Sequence, residues 1–325
     1  MEAVQLTGFE GIPSLKLVDI DKPSPGAGEV LIQVKAAGIN FAEAQQISGK
    51  YPTFGKEVPF TLGFEAAGIV VALGGGVTGI QEGDRVTALV STGGFAEYAI
   101  APANMVIALP AEISFAEATT LPIQGMTAYT MLKYLVEPFP HESILIQAAA
   151  GGVGLYLVQL AKRIHTKKVI ALASSDDKLE LVRGLGADVA INYSHPDWAE
   201  KVKQATDGKG VDVVLQMSSG HVGEESFALT APGGRIVLFG AQNYHDTITT
   251  DQVRQLIWQN QTLTGFAYPA LAPEKVAESL PEFLKLIAEK QLKIFANLSF
   301  PLAEAPRAFE ALMSRSTAGR IVLVP

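Results

Sequence analysis

The segment Ile144-Leu145-Ile146-Gln147-Ala148-Ala149-Ala150-Gly151-Gly152-Val153-Gly154 runs an apolar stretch straight into a helical period. Val153, Leu157, Ala161 and Ile164 share one helical face, which places Gly154 in the first turn against a sheet. A glycine at 151 lets the backbone approach a pyrophosphate, and one at 154 lets helix and strand pack closely. The helix start supplies free N–H groups and positive potential. Ala149 replaces the first glycine usual in such loops, a departure of one methyl group. The candidate phosphate-binding residues are Ala150, Gly151, Gly152, Val153 and Gly154. Two other glycine clusters act as controls. Gly74-Gly75-Gly76 has no helical period after it and reads as a strand connection, while Gly233-Gly234 precedes a strand.

A site for NADH places an acidic residue at the end of the next strand, roughly 20 residues on, to hold the ribose hydroxyls. That place is taken by Ala173, followed by Ser174 and Ser175. A carboxylate would repel a 2′-phosphate, whereas two hydroxyls and Lys178 can hold one, so NADPH is preferred. Asp176-Asp177 is the counter-argument. It reads either as first-turn carboxylates favoured by a helix dipole or as a displaced ribose partner. Ligands of open α/β sheets bind beyond the carboxyl ends of strands, which adds Ser218, Phe239, Gly240, Phe266 and Tyr268 to the candidate cofactor residues.

These residues need a parallel sheet to position them. From Ser143 the pattern alternates strands (Ser143–Gln147, Lys168–Ala173, Val189–Asn192, Val211–Gln216, Arg235–Gly240, Gln261–Phe266) with helices at about 152–166, 176–184, 196–206, 222–230 and 250–260. Six strands suit a doubly wound Rossmann domain. The first part instead shows short alternating runs such as Val30–Val34 and Gly68–Leu73 between Gly and Pro turns, a β-rich domain. The amphipathic segments Pro273–Lys290 and Leu302–Met313 and the strand Arg320–Val324 are expected to return to that first domain. The division is thus 1–121 with 269–325, and 122–268.

With 325 residues, 48% hydrophobic, the chain reads as globular, and a net charge of −8 with only short basic runs speaks against nucleic acid. No apolar run approaches the roughly 18 residues of a membrane span, and the first residues carry no signal-peptide pattern, so a cytoplasmic protein is expected. The absence of cysteine removes disulfides and thiolate chemistry. The five histidines, His141, His165, His195, His221 and His245, form no local ligand pair and read as surface or loop residues.

Val34-Lys35-Ala36-Ala37-Gly38-Ile39-Asn40, Gly63-Phe64-Glu65-Ala66-Ala67-Gly68, Gly83-Asp84-Arg85-Val86, Leu121-Pro122 through Thr127-Ala128-Tyr129, Ala148–Gly154, Leu185-Gly186-Ala187-Asp188 and Ala318-Gly319-Arg320 span the chain end to end. Together they resemble the medium-chain dehydrogenase/reductases, specifically their zinc-less quinone oxidoreductase branch. The resemblance implies an α/β protein with a GroES-like β-rich catalytic domain, an inserted Rossmann domain, and hydride transfer in the cleft between them. Zinc-dependent relatives carry a Cys near Asn40 and a His where Phe64 stands, followed by the glutamate matched by Glu65; neither ligand type is present here.

The resemblance further implies that Asn40 faces the nicotinamide and substrate, that Tyr51 lines the acceptor cleft, and that Thr127 approaches the cofactor. It also sets Lys178 and Tyr193 near the 2′-phosphate and lets Arg320 reach the cofactor, with Arg315 competing. Read by themselves, Asn40 is equally a turn residue, Tyr51 a packed loop aromatic, Thr127 a cap, and Lys178 and Tyr193 surface side chains. Glu65 reads as a relic of a metal site kept for an internal hydrogen bond. A site without a Lewis acid suits a quinone or enone better than an alcohol, because a quinone accepts hydride readily. An enoyl-thioester reductase and a crystallin-like NADPH-binding scaffold are the alternatives. A homodimer through the strand Gln261–Phe266 is expected, as in related dimers.

Overall fold

The computed structural model describes residues 1–136, 142–164, 166–242, 248–296 and 298–325. The chain divides into two compact units, one of Met1–Ile123 with Ile294–Pro325, the other of Gln124–Lys293.

The first unit opens with β1 (Glu2–Leu6), β2 (Leu15–Asp19), β3 (Glu29–Ile39), α1 (Phe41–Gln46), β4 (Phe60–Thr61), β5 (Glu65–Leu73), β6 (Arg85–Leu89), β7 (Tyr98–Pro102), β8 (Val106–Ala108) and α2 (Phe115–Ala118). Consecutive buried residues in β3, β5, β6 and β7 show that these strands are covered on both faces. β3 is the spine, antiparallel to β5 and β7 along its first part. Val34, Ala66, Phe95 and Phe309 belong to one buried cluster, and Val30, Ile32, Val70 and Val86 to a second. Gly74–Gly76 falls between β5 and β6, as a strand connection should.

The second unit runs α3 (Met126–Leu135), β9 (Ser143–Ile146), α4 (Gly152–Ala161), β10 (Lys168–Ala173), α5 (Asp176–Gly184), β11 (Val189–Asn192), α6 (Trp198–Ala205), β12 (Val211–Gln216), α7 (Gly220–Ala228), β13 (Thr230–Phe239), α8 (Thr250–Trp258), β14 (Thr262–Phe266) and α9 (Pro273–Ala288). Its six strands lie in the order β11-β10-β9-β12-β13-β14, and every ladder is parallel. The strand order reverses at β9 and β12, which is the doubly wound arrangement. Leu145, Ile170, Leu172, Val214 and Ile236 form its core with Trp198 and Phe227.

Two sequence expectations change. β13 starts at Thr230, so Gly233-Gly234 lies inside the strand; Gly233 takes φ +73° and the register shifts between Val211 and Val213. The Pro273–Lys290 segment belongs to the second unit, because α9 packs on α3, and the chain returns to the first unit at Ile294, not at 269. The returning elements are β15 (Leu298–Pro301), α10 (Ala305–Met313) and β16 (Ile321–Val324), with β16 antiparallel to β3.

Candidate functional site

In the second unit, β9 turns through Gln147–Gly151 into α4. Ala148 sits at φ +46°, and its carbonyl accepts the Gly151 N–H at 2.8 Å, so the turn closes just before the helix begins. A Cβ on Gly154 would come within 2.7 Å of the Ala149 backbone, which is why this position requires glycine. A Cβ on Gly151 would meet nothing nearer than the Ala148 oxygen at 3.2 Å. The Leu155 N–H donates to the Gly151 carbonyl at 2.9 Å, which leaves the N–H groups of Gly152, Val153 and Gly154 without an acceptor inside the helix. Three such donors on the positive end of a ten-residue helix suit a pyrophosphate.

Beyond β10, Ser174 and Ser175 precede α5, and Lys178 Nζ lies 3.4 Å from Ser174 Oγ. Partial burial holds the Lys178 ammonium below the ordinary lysine range. Asp176 and Asp177 are exposed in the first turn of α5, where the helix dipole favours them. The Tyr193 N–H donates to the Ala173 carbonyl at 3.0 Å and fixes the tyrosine beside the end of β10. Ser218 follows β12, where its N–H and that of Met217 donate to Gln147 Oε1 at 2.7 and 3.1 Å. Phe239 is buried, Gly240 leaves the strand at φ +82°, Phe266 is half-buried, and Tyr268 is buried, which raises its phenol pKa. Thr127 is half-buried in the first turn of α3. Apart from Thr127, these candidates of the second unit all lie at the carboxyl edge of the parallel sheet. The cradle at α4, with two serines and a lysine past β10, fits a dinucleotide carrying a 2′-phosphate.

In the first unit Asn40 joins β3 to α1, and its side chain is anchored by a buried cluster. Arg320 Nη1 donates to Asn40 Oδ1 at 2.6 Å, Asn40 Nδ2 donates to Glu65 Oε1 at 2.9 Å, and Arg320 Nη2 pairs with the same Glu65 oxygen. Arg320 and Glu65 are both wholly buried, and the guanidinium fills the space a Cβ on Gly38 would need. Glu43 closes the cluster by accepting the Asn40 and Phe64 N–H groups at 2.8 and 3.2 Å. Burial pushes the Glu43 carboxyl up to about 7 despite the pull of Arg320, and burial lowers Arg320 to about 10, still a cation at neutral pH.

This corrects one expectation. Arg320 is turned inward and committed to Glu65 and Asn40, while Arg315 is exposed at φ +55°. Glu65 does make an internal hydrogen bond, as its sequence context suggested. The cluster does not fit zinc, because it offers neither imidazole nor thiolate and already holds a guanidinium against its carboxylate. Among the described residues no three His, Asp or Glu side chains could share a metal ion. His195 and His221 are exposed, and His141, His165 and His245 lie outside the described residues. Tyr51 is half-buried and meets Phe54 edge-on at 5.9 Å, and Phe54 meets Phe64 at 6.1 Å. Phe54 is 67% exposed, so this aromatic row presents an apolar surface.

Sequence reasoning missed Gln147 and Glu43. Gln147 was detectable as the first polar residue after an all-apolar strand, and it ties β9 to the loop after β12. Glu43 gave no signal, since a glutamate in a short helix reads as exposed.

Comparison with known proteins gives two family matches. Residues 26–111 match the alcohol dehydrogenase GroES-like domain, and residues 152–289 match the zinc-binding dehydrogenase family. The chain is 35% identical to a quinone oxidoreductase of Pseudomonas aeruginosa, over 99% of each protein. Its fold is similar to that of the Escherichia coli quinone oxidoreductase solved in complex with NADPH, with a TM-score of 0.91, 32% identity and full coverage of both chains. It is also similar to the CurK enoyl reductase, with a TM-score of 0.88 and 29% identity over 99% of this chain and 98% of that one.

Proposed function

The chain belongs to the zinc-independent quinone oxidoreductase branch of the medium-chain dehydrogenase/reductases, and from that membership we propose that it reduces quinones or similar conjugated carbonyls with NADPH. It is an oxidoreductase, and its cofactor is NADPH. The observation that carries this reading is the α4 cradle at the end of β9, with Ser174, Ser175 and Lys178 beyond β10 in place of a ribose-binding carboxylate. When bound, NADPH supplies a hydride from C4 of its nicotinamide.

The protein's own part is to bind, orient and exclude water. Gly151 to Gly154 take the pyrophosphate, and Lys178 and Tyr193 take the 2′-phosphate end. Thr127, Ser218, Phe239, Gly240, Phe266 and Tyr268 hold the nicotinamide half. Asn40 and Tyr51 are assigned to the acceptor. The Arg320 and Glu65 contacts fix the Asn40 amide, and the Tyr51 hydroxyl donates to an acceptor oxygen. A flat, apolar acceptor suits the row Tyr51, Phe54 and Phe64, and needs no metal to accept hydride.

The similarity to an enoyl reductase keeps one other acceptor in view, an activated C=C of an acyl thioester. Nicotinamide absorbance followed with benzoquinone, phenanthrenequinone and crotonyl-CoA separates the two. Faster consumption with the quinones is expected, and a strong preference for crotonyl-CoA would replace the quinone reading by the enoyl one. A homodimer completes the proposal. β14 is the last strand of its sheet, and on α8 beside it Ile257 and Trp258 are 69% and 81% exposed, an apolar edge suited to a second copy.

A further inference from the structure

Gln124 begins the second unit, in the π-helical turn Leu121–Gly125 that leads into α3. The residue is only 8% exposed, and its carboxamide fills the space that a Cβ on Gly152 would take. Gly152 is the first residue of α4, so the amide rests against the helix end whose N–H groups receive the pyrophosphate in the function proposed above. Gln124 Oε1 is buried and has no hydrogen-bond partner among the described residues. A buried acceptor without a donor is unfavourable, and a ligand donor seated at the start of α4 would satisfy this one.

The chemistry of the donor is restricted. Pyrophosphate oxygens carry no proton at neutral pH, so the partner is a hydroxyl or amide next to the pyrophosphate. Direction selects between the halves of a dinucleotide. The adenosine half is the one assigned to Ser174 and Lys178 past β10, on one side of β9. Gln124 arrives with α3, which packs on α4, α9 and the Tyr268–Ala270 turn after β14, on the other side of the sheet order.

We propose that Gln124 is a cofactor-binding residue whose side-chain carbonyl accepts a hydrogen bond from the ribose hydroxyls of the nicotinamide half. This rests on the NADPH reading, and its test keeps the two apart. Gln124→Met preserves length and volume over Gly152 and removes the acceptor. Binding is titrated by fluorescence with NADPH, with 2′-phospho-ADP-ribose, which keeps the second ribose, and with adenosine 2′,5′-bisphosphate, which lacks it. The variant is expected to bind the first two roughly 3- to 10-fold more weakly and the third unchanged, as loss of one hydrogen bond predicts. The ligand-free melting temperature should not fall. Unchanged NADPH binding, or equal weakening of all three ligands with a lower melting temperature, overturns the assignment and leaves the cofactor reading standing. Failure of the folded wild-type chain to bind NADPH overturns both.

Discussion

Replacing Arg320 with methionine removes a guanidinium that is wholly buried against Glu65 and leaves that carboxylate with a single donor among the described residues, Asn40 Nδ2 at 2.9 Å. Glu65 Oε2 already lacks a hydrogen-bond partner among the described residues, so the orphaned charge would be poorly compensated. Breaking a buried pair by removing one member costs about 3–5 kcal/mol, much more than the pair itself contributes relative to an apolar core. For a unit of 150–250 residues each kcal/mol lowers the midpoint by about 2–4 °C, so Arg320→Met should melt roughly 6–20 °C below the wild type. The double variant Arg320→Met with Glu65→Gln removes the stranded charge as well and should recover more than half of the loss. Calorimetric melting of the three proteins at neutral pH is the assay. A single variant within about 1 kcal/mol of wild type, or a double variant no better than the single one, would refute the idea that this cluster is held by a buried charge pair.

Glu43 gives a pH signature. Its folded pKa, about 7, lies above the ordinary 4.5, so the folded state binds the extra proton between these values. Stability is therefore full below about 4.5, declines as pH rises toward about 7, and then levels, over a range on the order of 3 kcal/mol. Glu43→Gln should flatten that slope in denaturant titrations at several pH values, and an unchanged slope would reject the assignment. Lys178→Ala should weaken NADPH about 10-fold and NADH little, because only the former carries a 2′-phosphate; fluorescence titration showing equal losses would point to a surface lysine. Gly154→Ala drives a methyl group into the Ala149 backbone and should abolish measurable NADPH binding and lower the melting temperature, whereas Gly151→Ala, with its nearest neighbour at 3.2 Å, should fold normally. Trp258→Glu should yield a monomer by light scattering if α8 and β14 meet a second copy, and a wild-type monomer would remove the dimer.

Most of the second unit was legible. Val169 to Ala173 and Val213 to Gln216 are uninterrupted buried runs bounded by turns, the pattern expected of a doubly covered parallel strand. β13 was misjudged at its start because Gly233-Gly234 resembles a turn, while in the fold its glycines absorb a register shift inside the strand. α9 was misplaced because an amphipathic period reveals a buried face but not the partner that covers it. Arg320 is assigned to the cofactor by the family resemblance alone, and nothing in its own segment signals that it is buried. Only the facing Gly38, Asn40 and Glu65, remote in sequence, make room for it and satisfy it. The phosphate loop was readable because strand, glycines and helix are contiguous, whereas Gln124 depends on a neighbour 28 positions away, Gly152, and no local pattern records that meeting.

The proposed reaction is hydride delivery from NADPH without a metal ion. The direct measurement is the decay of nicotinamide absorbance with phenanthrenequinone after exhaustive dialysis against a chelator, using NADPH and its C4-deuterated form. The predicted result is undiminished turnover with a primary isotope effect. Turnover that vanishes on chelation and returns with zinc, or NADPH that binds and is never oxidised by any acceptor, would contradict it.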